Sequence, residues 1–137
     1  MKKIILDTNA YSKLLTGDSD VLGIVASAEI VFMSIFVLGE LYTGFSGGSK
    51  NRKNREILNT FLSKPSVKIL NATSETADVF GSLMNTLKKK GTPLPINDVW
   101  IGAHAIESGS VTVTFDHHFL KIPGVRLWDG IGTLSGS

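Results

Sequence analysis

The chain has 137 residues, of which 42% are hydrophobic and 19% charged, and it contains no cysteine. This composition is ordinary for a globular protein, and the length suits one compact domain, so we expect residues 1–137 to form a single domain. The absence of cysteine excludes disulfides and thiolate metal sites. A formal net charge of +2 is too small to indicate nucleic-acid binding by itself.

The first apolar run of the sequence, residues 4–6, is too short for the core of a signal peptide. No stretch approaches the ~18 consecutive apolar residues of a membrane span. We therefore expect a cytoplasmic protein without a membrane anchor, a setting with which the lack of cysteine agrees.

Apolar runs alternate with amphipathic segments along the chain, and this alternation predicts an α/β fold. Continuous apolar runs are typical of parallel strands that are buried on both faces. We predict a central parallel sheet of about five short strands flanked by helices on both faces. In chain order the elements are a strand at 4–7, a helical segment at 10–28 broken near Gly17, a strand at 29–35, a helix at 36–44 ending at glycine, a flexible loop at 46–49, a helix with residues 57, 58, 61 and 62 on one face, a strand at 67–70, a helix capped by Thr73 or Ser74 that stops at 88–91, a helix at 96–108, and strands at 111–115 and 125–128.

Two acidic residues directly follow predicted strands. Asp7 comes after the apolar run 4–6, and Asp116 comes after the run 111–115. In open α/β sheets, ligands bind outside the carboxyl ends of the strands, and two such ends can lie side by side. The alternatives are that Asp7 only caps the following helix and that Asp116 is a turn residue.

Two further acidic residues lie on predicted helices with apolar surroundings. Asp98 belongs to the segment 96–106, which is apolar almost all round, and a carboxylate there is costly unless a cation or hydrogen-bond donors compensate it. Glu40 lies at the edge of the apolar face of the helix 36–44. The alternatives are capping by Asn97 or Asp98, and, for Glu40, a boundary position from which the carboxylate reaches water.

Taken together, Asp7, Glu40, Asp98 and Asp116 predict a cluster of carboxylates at one edge of the sheet. Like charges that pack together raise one another's pKa, and a bound hard cation relieves this repulsion. Oxygen ligands favour Mg²⁺ or Mn²⁺ over zinc. A divalent ion that polarises water and phosphate oxygens suits phosphodiester hydrolysis, so the sequence favours this class of reaction.

Several segments that contain these acids resemble a known family. The segments are Leu6-Asp7-Thr8-Asn9, Gly39-Glu40-Leu41, the helix from Ile96 to Ala105, and the stretch from Val113 to Phe119. They resemble the PIN-domain nucleases, and most of all the VapC-type toxin ribonucleases of prokaryotic toxin–antitoxin modules. The resemblance runs over nearly the whole chain. It implies a PIN-like fold, metal-dependent endonucleolytic cleavage of RNA, homodimers, and inhibition by an antitoxin protein.

The resemblance also implies roles for individual residues. It assigns the binding of one or two divalent metals to the four acids, and a supporting polar role to Thr8, Asn9 and Thr114. Asn97 precedes the third acid, where it could hydrogen-bond locally. His117 and His118 follow the last acid and could touch phosphate, although surface histidines commonly have no special role.

Two groups of basic residues have different explanations. Lys50, Arg52, Lys53 and Arg55 lie at or before the start of a predicted helix, where cations oppose the helix dipole. Local stability does not explain them, so we predict that they bind RNA phosphates, with a solvated face as the alternative. The lysines at 88–90 precede Gly91 and complement a helix C-terminus, which favours capping.

Two other classes of function compete with the nuclease. The same fold could be a non-catalytic module that binds RNA or protein, although the complete set of acids argues against it. A phosphotransfer domain with Asp7 as acceptor is disfavoured, because haloacid-dehalogenase-type phosphatases place another aspartate where this chain has Asn9. An antitoxin could dock on exposed apolar surface of the helices at 11–15 or 36–45 and insert a basic side chain into the acidic cleft.

Overall fold

The computed structural model describes residues 2–132, and its centre is a parallel sheet. The strands are β1 (Lys3–Leu6), β2 (Ile30–Ser34), β3 (Val67–Leu70), β4 (Val111–Val113) and β5 (Arg126–Leu127), in the spatial order β3-β2-β1-β4-β5. All four strand pairings are parallel. The predicted α/β fold with a five-stranded parallel sheet is therefore confirmed, while residues 1 and 133–137 of the expected domain lie outside the described part.

Six helices connect and cover the strands in the described part of the chain. They are α1 (Thr8–Leu15), α2 (Ser19–Ser27), α3 (Ile35–Ser46), α4 (Asn51–Leu62), α5 (Ser74–Lys89) and α6 (Ile96–Ser108). Two short 3₁₀ helices follow β4 and β5, and we label them η1 (His117–Lys121) and η2 (Asp129–Ile131). None of the described helices is both long and apolar enough to cross a membrane.

Several predicted boundaries are corrected by the structure. The segment 10–28 is two helices, separated where Gly17 adopts a φ of 84°. Helix α3 does not end at Gly44 but continues to Ser46, with Gly47 at its C-cap. The last two predicted strands are shorter, because β4 stops at Val113 and β5 pairs over two residues only. Beyond Val113 the hydroxyl of Thr114 bonds to side-chain and backbone groups of the site, so regular pairing ends there.

The order of the strands determines where a ligand site can form. The chain begins in the middle of the sheet with β1, builds β2 and β3 on one side, and then crosses to build β4 and β5 on the other. The side chains of Ile4, Ile5 and Leu6 are all fully buried, so both faces of the central strand are covered. The strand order reverses between β1 and β4, and the carboxyl ends of strands at such a switch point leave a crevice.

Candidate active site

Asp7 and Thr114 lie next to each other at the carboxyl edge of β1 and β4. Leu6 and Val113 are partners in the sheet, and the residues that follow them come together. The Thr114 hydroxyl donates to Oδ2 of Asp7, and Oδ1 of Asp7 accepts the Ala10 N–H at 2.8 Å. Asp7 therefore caps α1 and also lies at the edge of the sheet, so the two interpretations of this residue are both correct.

Asp116 reaches the same edge through a short turn after β4. Its backbone N–H donates to the Thr114 hydroxyl at 2.9 Å, and its carboxylate accepts the backbone N–H of His118 at 2.9 Å. This second bond caps η1. Asp116 is a turn residue, as the alternative proposed, and the turn places its carboxylate beside that of Asp7.

Asp98 lies in the first turn of α6 and does not cap it. Pro95 occupies the cap position of α6 and makes no side-chain capping bond, so the capping alternative for Asn97 and Asp98 is wrong. The Asn97 amide does not bond locally but makes a long contact of 3.5 Å to the backbone carbonyl of Phe36 on α3. The Asp98 carboxylate is partly buried and lies 3.1 Å from Nδ1 of His118.

His118 lies between two of the acids. Its Nδ1 is 3.1 Å from a carboxylate oxygen of Asp98 and 3.1 Å from one of Asp116. The three side chains offer ligand atoms that all lie within 4.8 Å of one another. Within residues 2–132, His117 makes no hydrogen bond or ion pair with the acids, so only His118 of the two histidines is tied to the site.

Glu40 joins the other acids from α3. It is exposed, as the boundary interpretation proposed, and its Oε1 accepts the Thr8 hydroxyl at 2.7 Å. A pocket of about 120 Å³ is lined by Asp7, Thr8, Asn9, Glu40, Asp98, Ile101 and Asp116. The structure thus brings together all four predicted acids and the polar residues that follow the first of them.

The acids raise one another's pKa. Burial, followed by the charges of Asp116 and Asp98, raises the pKa of Asp7 to about 6, against the lowering effect of its bonds from Thr114 and Ala10. Burial and the charges of Asp116 and Glu40 also raise the pKa of Asp98, partly offset by His118. No lysine or arginine in the described chain forms an ion pair with these carboxylates. The pocket therefore concentrates negative charge that a cation would relieve.

The predicted RNA-binding residues lie apart from this pocket. Lys50 is at the N-cap of α4 without a side-chain capping bond, and Arg52 and Lys53 are exposed in the first turn. Arg55 donates to Asn51 at 2.9 Å, and its guanidinium lies 4.5 Å from the centre of the Tyr42 ring. Local contacts thus partly account for Arg55, whereas for the other three the structure provides no local partner among the described residues.

One residue that positions the site was missed in the sequence. His104 is buried on α6, where Nε2 lies 3.2 Å from the carbonyl oxygen of Asn71 and Nδ1 lies 2.8 Å from the Ser34 hydroxyl. The carbonyl can only accept, so Nε2 carries the proton and Nδ1 accepts from Ser34. Burial lowers the pKa of His104, in agreement with a neutral ring. These bonds fix the helix that carries Asp98 to the ends of β2 and β3, and a histidine in an otherwise apolar helix was the available signal.

The fold and the pocket define a class of protein, a parallel α/β domain with carboxylates clustered at the switch point of its sheet. Residues 4–125 match the family model of the PIN domain. The chain belongs to the PIN-domain family, which confirms the resemblance stated from the sequence.

Known relatives cover nearly the whole chain. Ribonuclease VapC2 of Rickettsia felis is 31% identical over 132 residues, which are 91% of this chain and 97% of the relative. The tRNA(fMet)-specific endonuclease VapC of Salmonella typhimurium is 31% identical over 98 residues, which are 71% of this chain and 73% of that protein. A crystal structure of VapBC2 from Rickettsia felis bound to a promoter DNA fragment superimposes with a TM-score of 0.80 at 27% identity, covering 92% of this chain and 97% of that one.

Proposed function

We propose that this protein is an endoribonuclease that hydrolyses RNA phosphodiester bonds as the toxin of a toxin–antitoxin pair. The observation that carries the proposal is the single pocket that Asp7, Glu40, Asp98 and Asp116 line at the switch point of the sheet. Relatives that are named ribonucleases match this chain over most of its length. The proposal therefore joins a pocket of mutually repelling carboxylates to a family whose named members cleave RNA.

We propose Mg²⁺ or Mn²⁺ as the cofactor. The donor atoms are carboxylate oxygens with one imidazole nitrogen beside them, a set that fits a hard divalent cation better than zinc. The four acids would hold the ion, which would supply Lewis-acid polarisation of a water molecule and of phosphate oxygens. The raised pKa values of Asp7 and Asp98 support this assignment, because a cation would restore their ionised form.

The supporting polar residues orient the acids. Thr114 donates to Asp7 and accepts the Asp116 N–H, so one hydroxyl sets the spacing of two carboxylates. Thr8 donates to Glu40 and joins α1 to α3. Asn9 lines the same pocket with an exposed amide that can contact substrate. These bonds hold the acids in place before any ligand binds.

The cognate antitoxin is proposed to dock in an apolar groove between α1, α2 and α4. The groove has a volume of about 530 Å³ and is lined mainly by apolar side chains, among them Leu14, Leu15, Leu22, Val25, Ile57 and Phe61. Leu15 and Leu22 are about half exposed, at 49% and 46%, whereas Tyr11 is fully buried and offers no surface. The groove thus supports the docking prediction for the end of α1 and extends it to α2 and α4, and an amphipathic helix is the ligand shape that such grooves take.

A homodimer and a cytoplasmic location complete the proposal. The dimer follows from the family resemblance, and light scattering of the purified protein would test it. The location follows from the proposed substrate, because RNA is made and used in the cytoplasm of prokaryotes.

Cleavage of RNA by the purified protein tests the proposed function. Wild type should cut total cellular RNA at defined sites with Mg²⁺ or Mn²⁺ and should not cut with EDTA. Asp7→Asn and Asp98→Asn should each abolish cleavage while the fold remains, because each removes a carboxylate charge from the shared pocket. Asp129→Asn, at an exposed aspartate outside the pocket, is the matched control and should cut like wild type.

Two outcomes would contradict the proposal. Cleavage by both pocket variants at the wild-type rate would show that the acids are not the catalytic site. A wild-type protein that neither cuts RNA nor slows growth when expressed alone would favour the non-catalytic binding module.

A further inference from the structure

A second pocket, rich in lysine, lies between the α5–α6 loop and the end of η1. It has a volume of about 450 Å³ and is lined by Lys90, Thr92, Leu120, Lys121, Ile122 and Pro123. No acidic residue lines it, and neither lysine forms an ion pair with any carboxylate in the range 2–132. The pocket therefore presents two uncompensated ammonium groups and no opposing charge.

The wall that contains Lys90 is rigid. Lys90 caps the C-terminus of α5, and the following Gly91 has the positive φ, 65°, of a Schellman turn. The turn is closed by the Gly91 N–H donating to Lys88 and the Thr92 N–H donating to Leu87, both at 3.0 Å. Lys90 is thus held at a fixed position in the backbone before any ligand binds.

The opposite wall is fixed by packing against α6. Ile122 is buried, and a Cβ atom at Gly102 would lie 3.1 Å from its side chain, so the two segments are in close contact. Pro123 restricts the backbone that follows. The charge at a helix C-terminus accounts for the lysines of α5, but Lys121 lies on a different element and adds a second positive charge to the same pocket.

The lysine pocket is continuous with the acidic pocket along η1. Asp116 caps η1, and His118 within it contacts Asp98. Side chains three residues apart in a 3₁₀ helix lie on the same face, with a rise of about 2 Å per residue. Lys121 therefore lies on the face of η1 that carries His118, roughly 6 Å further along the axis.

We propose that Lys90 and Lys121 bind a backbone phosphate of the RNA beside the phosphate that is cleaved. The inference rests on the proposed endoribonuclease function and names the positive subsite that the acidic pocket lacks. Lysine binds phosphate as a compact point charge, and each neutralised phosphate releases counterions from the nucleic acid. A substrate phosphate at this pocket would offset the repulsion between RNA and the four carboxylates.

The test measures binding of a mixed-sequence single-stranded RNA oligonucleotide in EDTA, at several salt concentrations, by fluorescence anisotropy. The double variant Lys90→Gln/Lys121→Gln should bind more weakly than wild type. Its log–log salt dependence should be flatter by about 1.4, because each lost contact to single-stranded nucleic acid removes about 0.7. Both side chains are exposed, so the variant should fold, which circular dichroism checks.

Lys2→Gln/Lys3→Gln is the matched control. These lysines are exposed at the amino edge of the sheet, opposite the acids, and they line a pocket there with Arg126. The control carries the same change of charge and should keep the wild-type slope. Equal slopes for wild type and the Lys90/Lys121 variant, or an equal decrease in both double variants, would overturn the inference.

The result is independent of the test of function. The binding assay contains no metal and reads no cleavage, so loss of the lysine subsite leaves the cleavage experiment interpretable. If the Lys90/Lys121 variant binds RNA like wild type and instead binds its antitoxin more weakly, the pocket belongs to a protein interface and the RNA inference is wrong.

Discussion

Thr114 is the residue on which the geometry of the acidic pocket depends most directly. Its hydroxyl donates to Asp7 and accepts from the backbone of Asp116, and it is fully buried. Hydrogen-bond partners of metal ligands typically contribute a factor of about 10–100 to metal affinity or activity. The neighbouring Thr112 offers a contrast, because its buried hydroxyl has no hydrogen-bond partner among the described residues.

We predict that Thr114→Val lowers the rate of RNA cleavage by about 10- to 100-fold and raises the pKa of Asp7 further. The reason is that valine keeps the shape of the side chain but leaves one oxygen of the Asp7 carboxylate without its donor. Thr112→Val, two residues earlier, should leave cleavage unchanged and should not destabilise the fold, since no bond is lost. Equal rates for the two variants would refute the role of the hydroxyl.

The pKa of Asp7 predicts how the stability of the metal-free protein depends on pH. The folded value of about 6 lies above the ordinary value of 3.8, so the folded protein holds this proton more tightly than the unfolded chain. The free energy of unfolding should therefore fall as pH rises from about 4 to about 6, by at most on the order of 3 kcal/mol from this group. Asp98, whose pKa is also raised, acts in the same direction.

Denaturant unfolding in EDTA at a series of pH values measures this effect. Asp7→Asn should be more stable than wild type at pH 7, and the difference should shrink as pH falls towards 4. Asp18→Asn is the control, because Asp18 also caps a helix with its carboxylate but lies outside the acidic pocket. An Asp7→Asn variant that is less stable than wild type at pH 7 would mean that capping of α1 outweighs the buried charge.

At the scale of elements, helix ends determine which side chains can take part in the site. Helix α6 begins at Pro95 without a side-chain cap, which leaves the Asp98 carboxylate available for the pocket. Helix α4 begins at Lys50, also without a side-chain cap, and has no acidic residue in its first turn. The cations at the start of α4 oppose the helix dipole, so they lower local stability unless an anion binds there.

We predict that Arg52→Ala/Lys53→Ala weakens binding of single-stranded RNA and flattens its salt dependence by about 1.4 on the log–log scale. The expected cause is the loss of two phosphate contacts at the start of α4. Lys64→Ala/Lys68→Ala, at exposed lysines beyond the other end of the helix, is the control. A slope that stays at the wild-type value in the first variant would assign these residues to a solvated face.

At the scale of the whole molecule, two surfaces serve separate purposes in the proposed function. The acidic pocket lies at the carboxyl edge of the sheet, and the apolar groove lies between α1, α2 and α4. The two sets of lining residues do not overlap. Antitoxin binding can therefore be weakened in the groove without touching the catalytic acids.

We predict that Leu22→Glu or Ile57→Glu weakens binding of the antitoxin encoded beside this protein by about tenfold or more. The reason is that an unpaired charge at an apolar interface costs more than the ~1.4 kcal/mol to which tenfold in Kd corresponds. RNA cleavage by the free variants should stay at the wild-type rate. Ile69→Glu, at an exposed isoleucine on β3 outside the groove, should bind the antitoxin normally, and pull-down with titration calorimetry measures all three.

The sequence by itself determined the α/β class, the order of the elements and the identity of the four acids. Periodic and continuous apolar runs report burial locally, so β1, β3 and α6 could be placed within a residue of their observed bounds. Acids that follow buried strands, such as Asp7, can be recognised locally for the same reason. Strand ends such as that of β4 could not, because they depend on where partner strands stop.

The tertiary structure alone decided which groups touch. Residues 7 and 114 are far apart in the chain, and only the adjacency of β1 and β4 brings the Thr114 hydroxyl to Asp7. The position of His118 between Asp98 and Asp116 depends on how η1 packs on α6. The raised pKa values follow from burial and from charges contributed by separate elements, and the pairing of Lys90 with Lys121 around one pocket follows from the α5–α6 turn. Long-range contacts of this kind leave no periodic trace in the sequence, because each residue carries only its own local preference.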